Sequence, residues 1–392
     1  MRLALVTNIP APYRVPVWNA LVEEGVDLRV VFCSEREPRR NWEWPGAMRF
    51  PFAVDRSAPW KLGSRSVYAS PTIYGHIKRM APDVVLAGGF SMPALYAHGY
   101  ARMHRGVGFG LFAESTIHSE HGTPTFQVAL RRYLVRSADA LVAASTDTKD
   151  YFSSLGADEK SIFTSLLTID VEKFHAAARE ARGRAETTRA KLGITGPVIL
   201  YVGRLVPEKG LGLLFDALRT VQRDTASVTL VLVGSGPSEP ELRARSKSEG
   251  LRVFFAGDQP QAELPGWYGI GDVFVFPTLS DRFGVVVAEA TAAGLPIVCS
   301  KHAGAARDCV RDGINGFLVD PHDCSAVAQS LAVILSDPGL RSRMAKASQE
   351  ILHKLDVRAA ALELRRAAEF AMKRKRGSVE NGFGASPGAA RV

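Results

Sequence analysis

The sequence predicts an α/β protein of two domains, each built on a parallel sheet. Three observations predict it. The chain has 392 residues, and at roughly 100–200 residues per domain two domains are the default. Apolar runs of strand length alternate with longer helical patterns, the rhythm of βαβ units. That rhythm breaks once, over residues 169–196, and then restarts. An apolar content of 46% suffices for two cores, and the 23% of charged residues mix both signs, which excludes bulk disorder.

Leu3–Thr7 reads as the first strand, followed by a helix over Val15–Glu24. Val26–Phe32 and Met48–Val54 are the next strands. The stretches Ala81–Gly89, Gly106–Glu114 and Ala138–Ser145 each hold an apolar strand closed by small or polar residues. The polar stretch 169–196 is expected to be an interdomain linker with one helix. The second half resumes with "PVILYVGRL" as strand, "LGLLFDALRTV" as amphipathic helix and "SVTLVLVG" as strand. "EPELRARSKSEG" is a helix, and "LRVFFAG" and "DVFVFPT" are strands. A helix over Gly284–Gly294 leads into "LPIVCS" and "GFLVD", and helices fill Asp323–Met372. The domains expected are 1–168 and 197–355, with a helix at 356–376 returning to the first. Residues 377–392, rich in Gly, Ser and Ala, are expected to be disordered.

The net charge of +9 favours anionic partners. No nucleic-acid motif accompanies it, so nucleic acid is not an expected partner. The densest run is Lys373–Arg376, read either as a solvated helix end or as a contact with anionic lipid. Cys33, Cys299, Cys309 and Cys324 form no C-x-x-C pair and read as free thiols of a reducing compartment. The first residues lack the long apolar core of a signal peptide, and no run approaches membrane-spanning length. A cytoplasmic protein, peripheral at most to the inner membrane face, is expected.

Three segments carry chemistry. In "YVGRLVPEKG" a strand runs into Gly203 and Arg204, and Lys209 precedes a helix. The carboxyl end of a parallel strand is where open α/β sheets bind ligands, and a helix N-terminus adds free N–H groups. Arg204 and Lys209 therefore suit a diphosphate. Alternatively they are surface charges, with Lys209 paired to Glu208. "GSGP" at Gly234–Pro237 is half of a dinucleotide fingerprint and reads equally as a tight turn. In "PTLSDRFGVVVAEATAAGLPIV", Asp281 and Glu289 are separated by seven residues. Asp281 falls in the loop before the helix, where it either caps the helix or meets a ligand. Glu289 falls inside the helix among Val and Ala, half-buried and in need of a partner. Sugar or ribose hydroxyls would supply one.

Taken together, "GRLVPEKG", "GSGP", "PTLSDRFG" and "AEATAAGLPIVCS" resemble, in order and spacing, the family 4 glycosyltransferases. "NIPAPYRVPVWNAL" resembles the opening of that family's polysaccharide-assembly members. The resemblance implies the GT-B fold, two Rossmann-like domains facing across a cleft, and retaining transfer from a nucleotide sugar with no metal or other cofactor. It implies that Gly203, Arg204 and Lys209 hold the diphosphate, Arg204 and Lys209 assisting its departure. Glu289 would bind the ribose and Asp281 the donor sugar. The backbone amides of Phe283, Gly284 and Val285 would grip sugar and phosphate. Position 281 departs from the family's Glu by one methylene. Where many relatives place a His, Glu114 stands here, with His118 and His121 beyond it. Glu114 is the preferred third catalytic residue and His118 the second choice, and exposed loop positions are the alternative for both histidines. Asn8, Tyr13 and Arg14 fall on the acceptor side.

The partners implied are a nucleotide-sugar donor, a UDP- or GDP-sugar, and a saccharide acceptor, lipid-linked in cell-surface polysaccharide assembly. A soluble natural-product acceptor, a nucleotide-sugar epimerase or phosphorylase of the same fold, and a non-catalytic sugar-nucleotide-binding protein are the competing readings. A NAD-dependent dehydrogenase is disfavoured, because Asn-Ile-Pro rather than a glycine fingerprint follows the first strand.

Overall fold

A computed structural model describes residues 1–36, 46–55, 60–62, 65–67 and 70–383. The chain divides into two compact units, Met1–Leu167 with Val357–Val392, and Thr168–Asp356.

The strands of the first unit are β1 (Arg2–Thr7), β2 (Asp27–Phe32), β3 (Phe52–Val54), β4 (Trp60–Leu62), β5 (Arg65–Val67), β6 (Val84–Gly88), β7 (Gly108–Ala113), β8 (Ala140–Ala143) and β9 (Ile162–Thr164). Seven of them form one parallel sheet in the order β3-β2-β1-β6-β7-β8-β9, while β4 and β5 pair as an antiparallel hairpin. The alternation of side chains along β1 sends Leu3 and Leu5 to one face and Ala4 and Val6 to the other. The first face packs on the helix Val15–Glu23 through Trp18 and Leu21, and on Ala361, Leu364 and Ala368 of the last helix. The second face packs on Ile73, Ile77, Ala94 and Ala97. Each face is thus covered by helices, as a buried parallel sheet requires.

The second unit holds β10 (Val198–Val202), β11 (Thr229–Val233), β12 (Val253–Gly257), β13 (Val273–Phe276), β14 (Ile297–Ser300) and β15 (Gly316–Val319). All pair in parallel, in the order β12-β11-β10-β13-β14-β15. This is the 3-2-1-4-5-6 order of a doubly wound nucleotide-binding sheet. Its switch point lies between β10 and β13, where the strand order reverses. β10 reads Val-Ile-Leu-Tyr-Val with every residue buried.

Three expectations are corrected. The strand expected over Met48–Val54 is paired only at Phe52–Val54, because Pro51 has no N–H to donate into a ladder. The stretch 169–196 is an integral part of the second unit. Its helices Val171–Arg182 and Ala185–Lys191 pack there, Arg182 and Arg189 donating to Gly271 O and Ile270 O at 3.2 and 2.9 Å. Gly269 lets Ala181 approach, since a Cβ on it would sit 2.7 Å from the alanine's own. The last helix runs from Val357 to Phe383 rather than ending at Arg376. Once its alanine-rich first half is docked, each further residue adds a hydrogen bond without a new nucleation cost. The rest of the expected disordered tail, 384–392, lies outside the described residues.

Candidate active site

In the second unit the carboxyl ends of β10 and β13 carry the site. Beyond β10, Gly203 takes φ +148° and Arg204 is exposed, its carbonyl held by the Tyr201 hydroxyl at 2.9 Å. Among the described residues the Arg204 guanidinium has no carboxylate partner. A short turn over Pro207–Lys209 delivers Lys209, and Gly210 at φ +67° starts the helix Leu211–Asp224. Only glycine fits there, because a Cβ would lie 2.2 Å from Pro277 O. Thr278 and Leu279 tie the loop after β13 to the same turn, both bonding Glu208 O, at 3.0 and 2.9 Å.

The two loops bring Lys209 and Asp281, 72 positions apart, into an ion pair. Lys209 is buried, and its Nζ lies 5.3 Å from the centre of the Phe276 ring. Its partner is therefore Asp281 and not the Glu208 considered from sequence. Asp281 Oδ1 accepts the Phe283 amide at 3.0 Å, and Gly304 N–H donates to Asp281 O at 3.1 Å. Phe283 is buried, and its amide is engaged by Asp281. The helix Val285–Ala292 follows Gly284, at φ +89°. Its first turn presents the N–H groups of Gly284 and Val285 at a positive dipole end.

Glu289 lies within this helix at 5% exposure, more buried than expected. Its Oε2 accepts the hydroxyl of the fully buried Tyr268 at 2.8 Å. Tyr268 supplies in the protein the partner that sequence reasoning assigned to a ligand hydroxyl. Burial pushes the carboxyl up to about 7, and the Tyr268 hydrogen bond pulls the other way. Nothing local marks Tyr268 in the sequence, since it reaches Glu289 only through folding. The pair Gly234 and Gly236 serves close packing. A Cβ at either would lie 2.1 Å from Gly203 O or 2.3 Å from Leu205 O, so the loops after β10 and β11 interlock.

The first unit gathers the other predicted residues at the carboxyl ends of β1 and β7. Arg14, at the start of the helix Val15–Glu23, forms an ion pair with Glu114, 100 positions away. The guanidinium also lies 4.9 Å from the Phe112 ring centre. Tyr13 and Arg14 line an apolar concavity of about 430 Å³ with Trp18, Phe112, Ala144 and Leu364. Asn8 is exposed, its carbonyl accepting Ser34 N–H at 2.9 Å. His118 and His121 are exposed in the loop that follows Glu114. That loop is braced by Glu120, which pairs with Arg131 at 2.7 Å and accepts Ser115 Oγ at 2.8 Å. Among the described residues no group of three or more His, Cys, Asp or Glu could hold a metal ion.

These sites sit on two sequence families. The model of the glycosyl transferases group 1 matches residues 184–351, and that of the glycosyl transferase 4-like domain matches residues 10–164. The chain is a glycosyltransferase of the GT-B fold. Among curated relatives of this glycosyltransferase, sulfoquinovosyl transferase SQD2 of Arabidopsis thaliana is 27% identical over 88% of this chain and 67% of its own length. A D-inositol 3-phosphate glycosyltransferase of Xylanimonas cellulosilytica is 32% identical over 57% of this chain and 54% of its own. A GDP-mannose-dependent α-(1-6)-phosphatidylinositol monomannoside mannosyltransferase of Mycolicibacterium smegmatis is 30% identical over 58% and 60%. The chain thus spans between about half and two thirds of the relatives it matches. Among solved structures, Alr3699/HepE of Anabaena superposes with a TM-score of 0.74 over 94% of this chain and all of its own, at 19% identity. Sucrose-phosphate synthase of Thermosynechococcus elongatus gives 0.72 over 98% and 100%, at 17% identity. At such identities the likeness speaks to the fold.

Proposed function

We propose that the protein transfers a sugar, with retention, from a UDP- or GDP-sugar to a saccharide acceptor that is lipid-linked, in cell-surface polysaccharide assembly at the inner membrane face. The observation that carries the reading is the cationic cradle at the switch point of the second sheet. There Arg204, exposed and without a carboxylate partner among the described residues, stands on the loop that delivers the buried Lys209 to Asp281, just before a helix N-terminus. Two cations and oriented N–H groups suit the charge of a diphosphate, and a neutral ligand would leave Arg204 without a use. Of the relatives, the mannosyltransferase is named for a phosphatidylinositol-linked acceptor and a GDP-sugar, which supports the reading, whereas the Xylanimonas enzyme is named for D-inositol 3-phosphate, which carries no lipid.

In the proposed reaction the bond from the anomeric carbon to the diphosphate oxygen breaks, and Arg204 and Lys209 receive the charge that develops there. The acceptor hydroxyl oxygen bonds to the same face of the anomeric carbon. Its proton passes to a departing phosphate oxygen, so no protein nucleophile and no metal is consumed. Positioning and fixed charge then account for the rate. Lys209 exchanges Asp281 for phosphate when the donor binds, which frees Asp281 to accept hydroxyls of the donor sugar. Glu289, one turn into the helix with its Oε2 held by Tyr268, accepts the ribose hydroxyls through Oε1. In the first unit, Glu114 is the third catalytic residue, and Arg14, paired with it, lines the acceptor side with Asn8, Tyr13 and His118.

Titration calorimetry with UDP and GDP, followed by product analysis with and without acceptor, tests the reading. Tight binding of one nucleotide, lost in Arg204→Ala, is expected. Sugar released or epimerised without acceptor would replace transfer by hydrolysis or epimerisation, and absence of nucleotide binding would overturn the donor site itself.

A further inference from the structure

The four most exposed large apolar side chains among the described residues are Met103 at 74%, Phe126 at 71%, Ile117 at 56% and Tyr133 at 55%. All four belong to the first unit. Phe126 and Tyr133 lie on the helix Thr125–Ser137, which has no acidic residue. With 100° per residue, Phe126, Arg132, Tyr133 and Arg136 share one face of roughly 120°. All four are exposed, whereas Leu134 and Val135 are buried. Ile117 lies in the loop that leads into this helix, and Met103 ends the neighbouring helix Met92–Met103.

Buried His98 joins these elements. Its ring packs edge-on against Tyr133 at 5.4 Å, and the charges of Arg102 and Lys375 act on it. The same cluster holds Asp139, which accepts Phe109 N–H at 2.9 Å and feels Lys375 and Arg374. Arg374 and Lys375 of the last helix thus act on the cluster to which Tyr133 belongs. Arg376 of the same helix is engaged with Asp83 at 3.4 Å. Arg102, Arg132, Arg136, Lys373 and Arg374 are exposed and have no carboxylate partner among the described residues.

We infer that the outer face of the helix Thr125–Ser137, extended by Ile117 and Met103, is a docking surface for an anionic lipid bilayer. Large apolar tips interleaved with arginines are what an interfacial helix presents: rings enter the headgroup layer and cations hold lipid phosphates. A purely electrostatic partner such as RNA would leave Phe126 and Met103 unexplained. The helix is about 20 Å long, and its N-terminal end is the loop of His118 and Glu114. A bilayer on this face would present lipid-linked saccharides beside that loop. This purpose rests on the proposed acceptor, but the binding itself does not.

The test is flotation of the full chain with vesicles of phosphatidylcholine alone and with equal parts of phosphatidylglycerol. Binding only to the anionic vesicles, weakened by salt, is expected. Phe126→Ser with Tyr133→Ser, and separately Arg132→Glu with Arg136→Glu, should each weaken it at least about tenfold. In Phe126→Trp, brominated lipid should quench the added indole fluorescence. Nucleotide affinity should be unchanged in every variant, which separates this surface from the donor site. Absence of vesicle binding overturns the inference, as does binding indifferent to Phe126 and Tyr133. RNA binding that needs only the arginines, or a dimer broken by Phe126→Ser in a chain that ignores vesicles, replaces it.

Discussion

Lys209 and Asp281 hold one another in an ion pair, and this pair sets the first expectation. Lys209→Ala removes the cation proposed for the leaving diphosphate, so turnover should fall by about a hundredfold or more. Asp281 keeps the Phe283 amide, and its side chain retains 22% exposure. The loss of stability should therefore stay near ~1 kcal/mol. Steady-state kinetics and thermal unfolding separate the two effects, and near-normal turnover would remove Lys209 from the mechanism. Glu289 gives the second. Its carboxyl rises from 4.5 to about 7 through burial. Between those values the folded chain holds a proton that the unfolded chain has released. Stability is thus greatest below that window and falls as pH rises through it, by at most ~3 kcal/mol. Urea unfolding at either end of the window should show the fall, and Glu289→Gln should abolish it. Ribose hydroxyls favour the ionised carboxylate, so nucleotide affinity should rise with pH through the same range in the parent chain beyond any rise in the Gln variant. The residues Arg204, Lys209, Asp281 and Glu289 are all legible in the sequence as charges out of keeping with their apolar surroundings. Their partners are not: Tyr268 and Phe276 lie on other elements and carry no local mark.

At the scale of elements, the site depends on turns that only glycine can make. Gly210→Ala places a methyl 2.2 Å from Pro277 O at φ +67°, so the turn that carries Lys209 must shift. The expected cost is about 1–3 kcal/mol, with weaker nucleotide binding. Gly212→Ala, two residues on, meets open space inside the helix Leu211–Asp224 and should gain about 0.5–1 kcal/mol instead. Thermal unfolding of the two variants with and without nucleotide checks both. Strands such as Val198–Val202 are legible because a run apolar on both faces has few other fates. Pro51 shortens β3, and the helix Val357–Phe383 outlasts its alanine-rich half. Both ends are set by what the neighbouring backbone can pair with or support. The glycines of "GSGP" are legible as a turn, but their reason, the loop of Gly203 pressing on Gly234, is a contact between elements.

At the scale of the whole molecule, the chain leaves its first unit at Leu167 and returns to it at Val357. The returning helix buries Ala360, Ala361, Leu364, Ala367, Ala368 and Ala371 to 4% exposure or less. Gly108 admits it, since a Cβ there would lie 2.9 Å from the Ala371 backbone. Truncation after Asp356 should therefore uncover one face of the first sheet. Loss of the first unit's cooperative unfolding and aggregation on expression are expected, read by calorimetry and size exclusion. A soluble, cooperative truncated chain would show that the helix is dispensable. By itself the sequence determined the α/β class, the presence of two units and the charged residues of the proposed donor site. Strand length, apolar runs and misplaced charges are local properties, written where they act. Tertiary structure alone decided the strand orders, the meeting of Arg14 with Glu114 and of Lys209 with Asp281, the hydrogen bond of Tyr268 to Glu289, and the packing of His98 on Tyr133. Each of these joins residues far apart in the chain, and such pairings are fixed by which buried faces fit together.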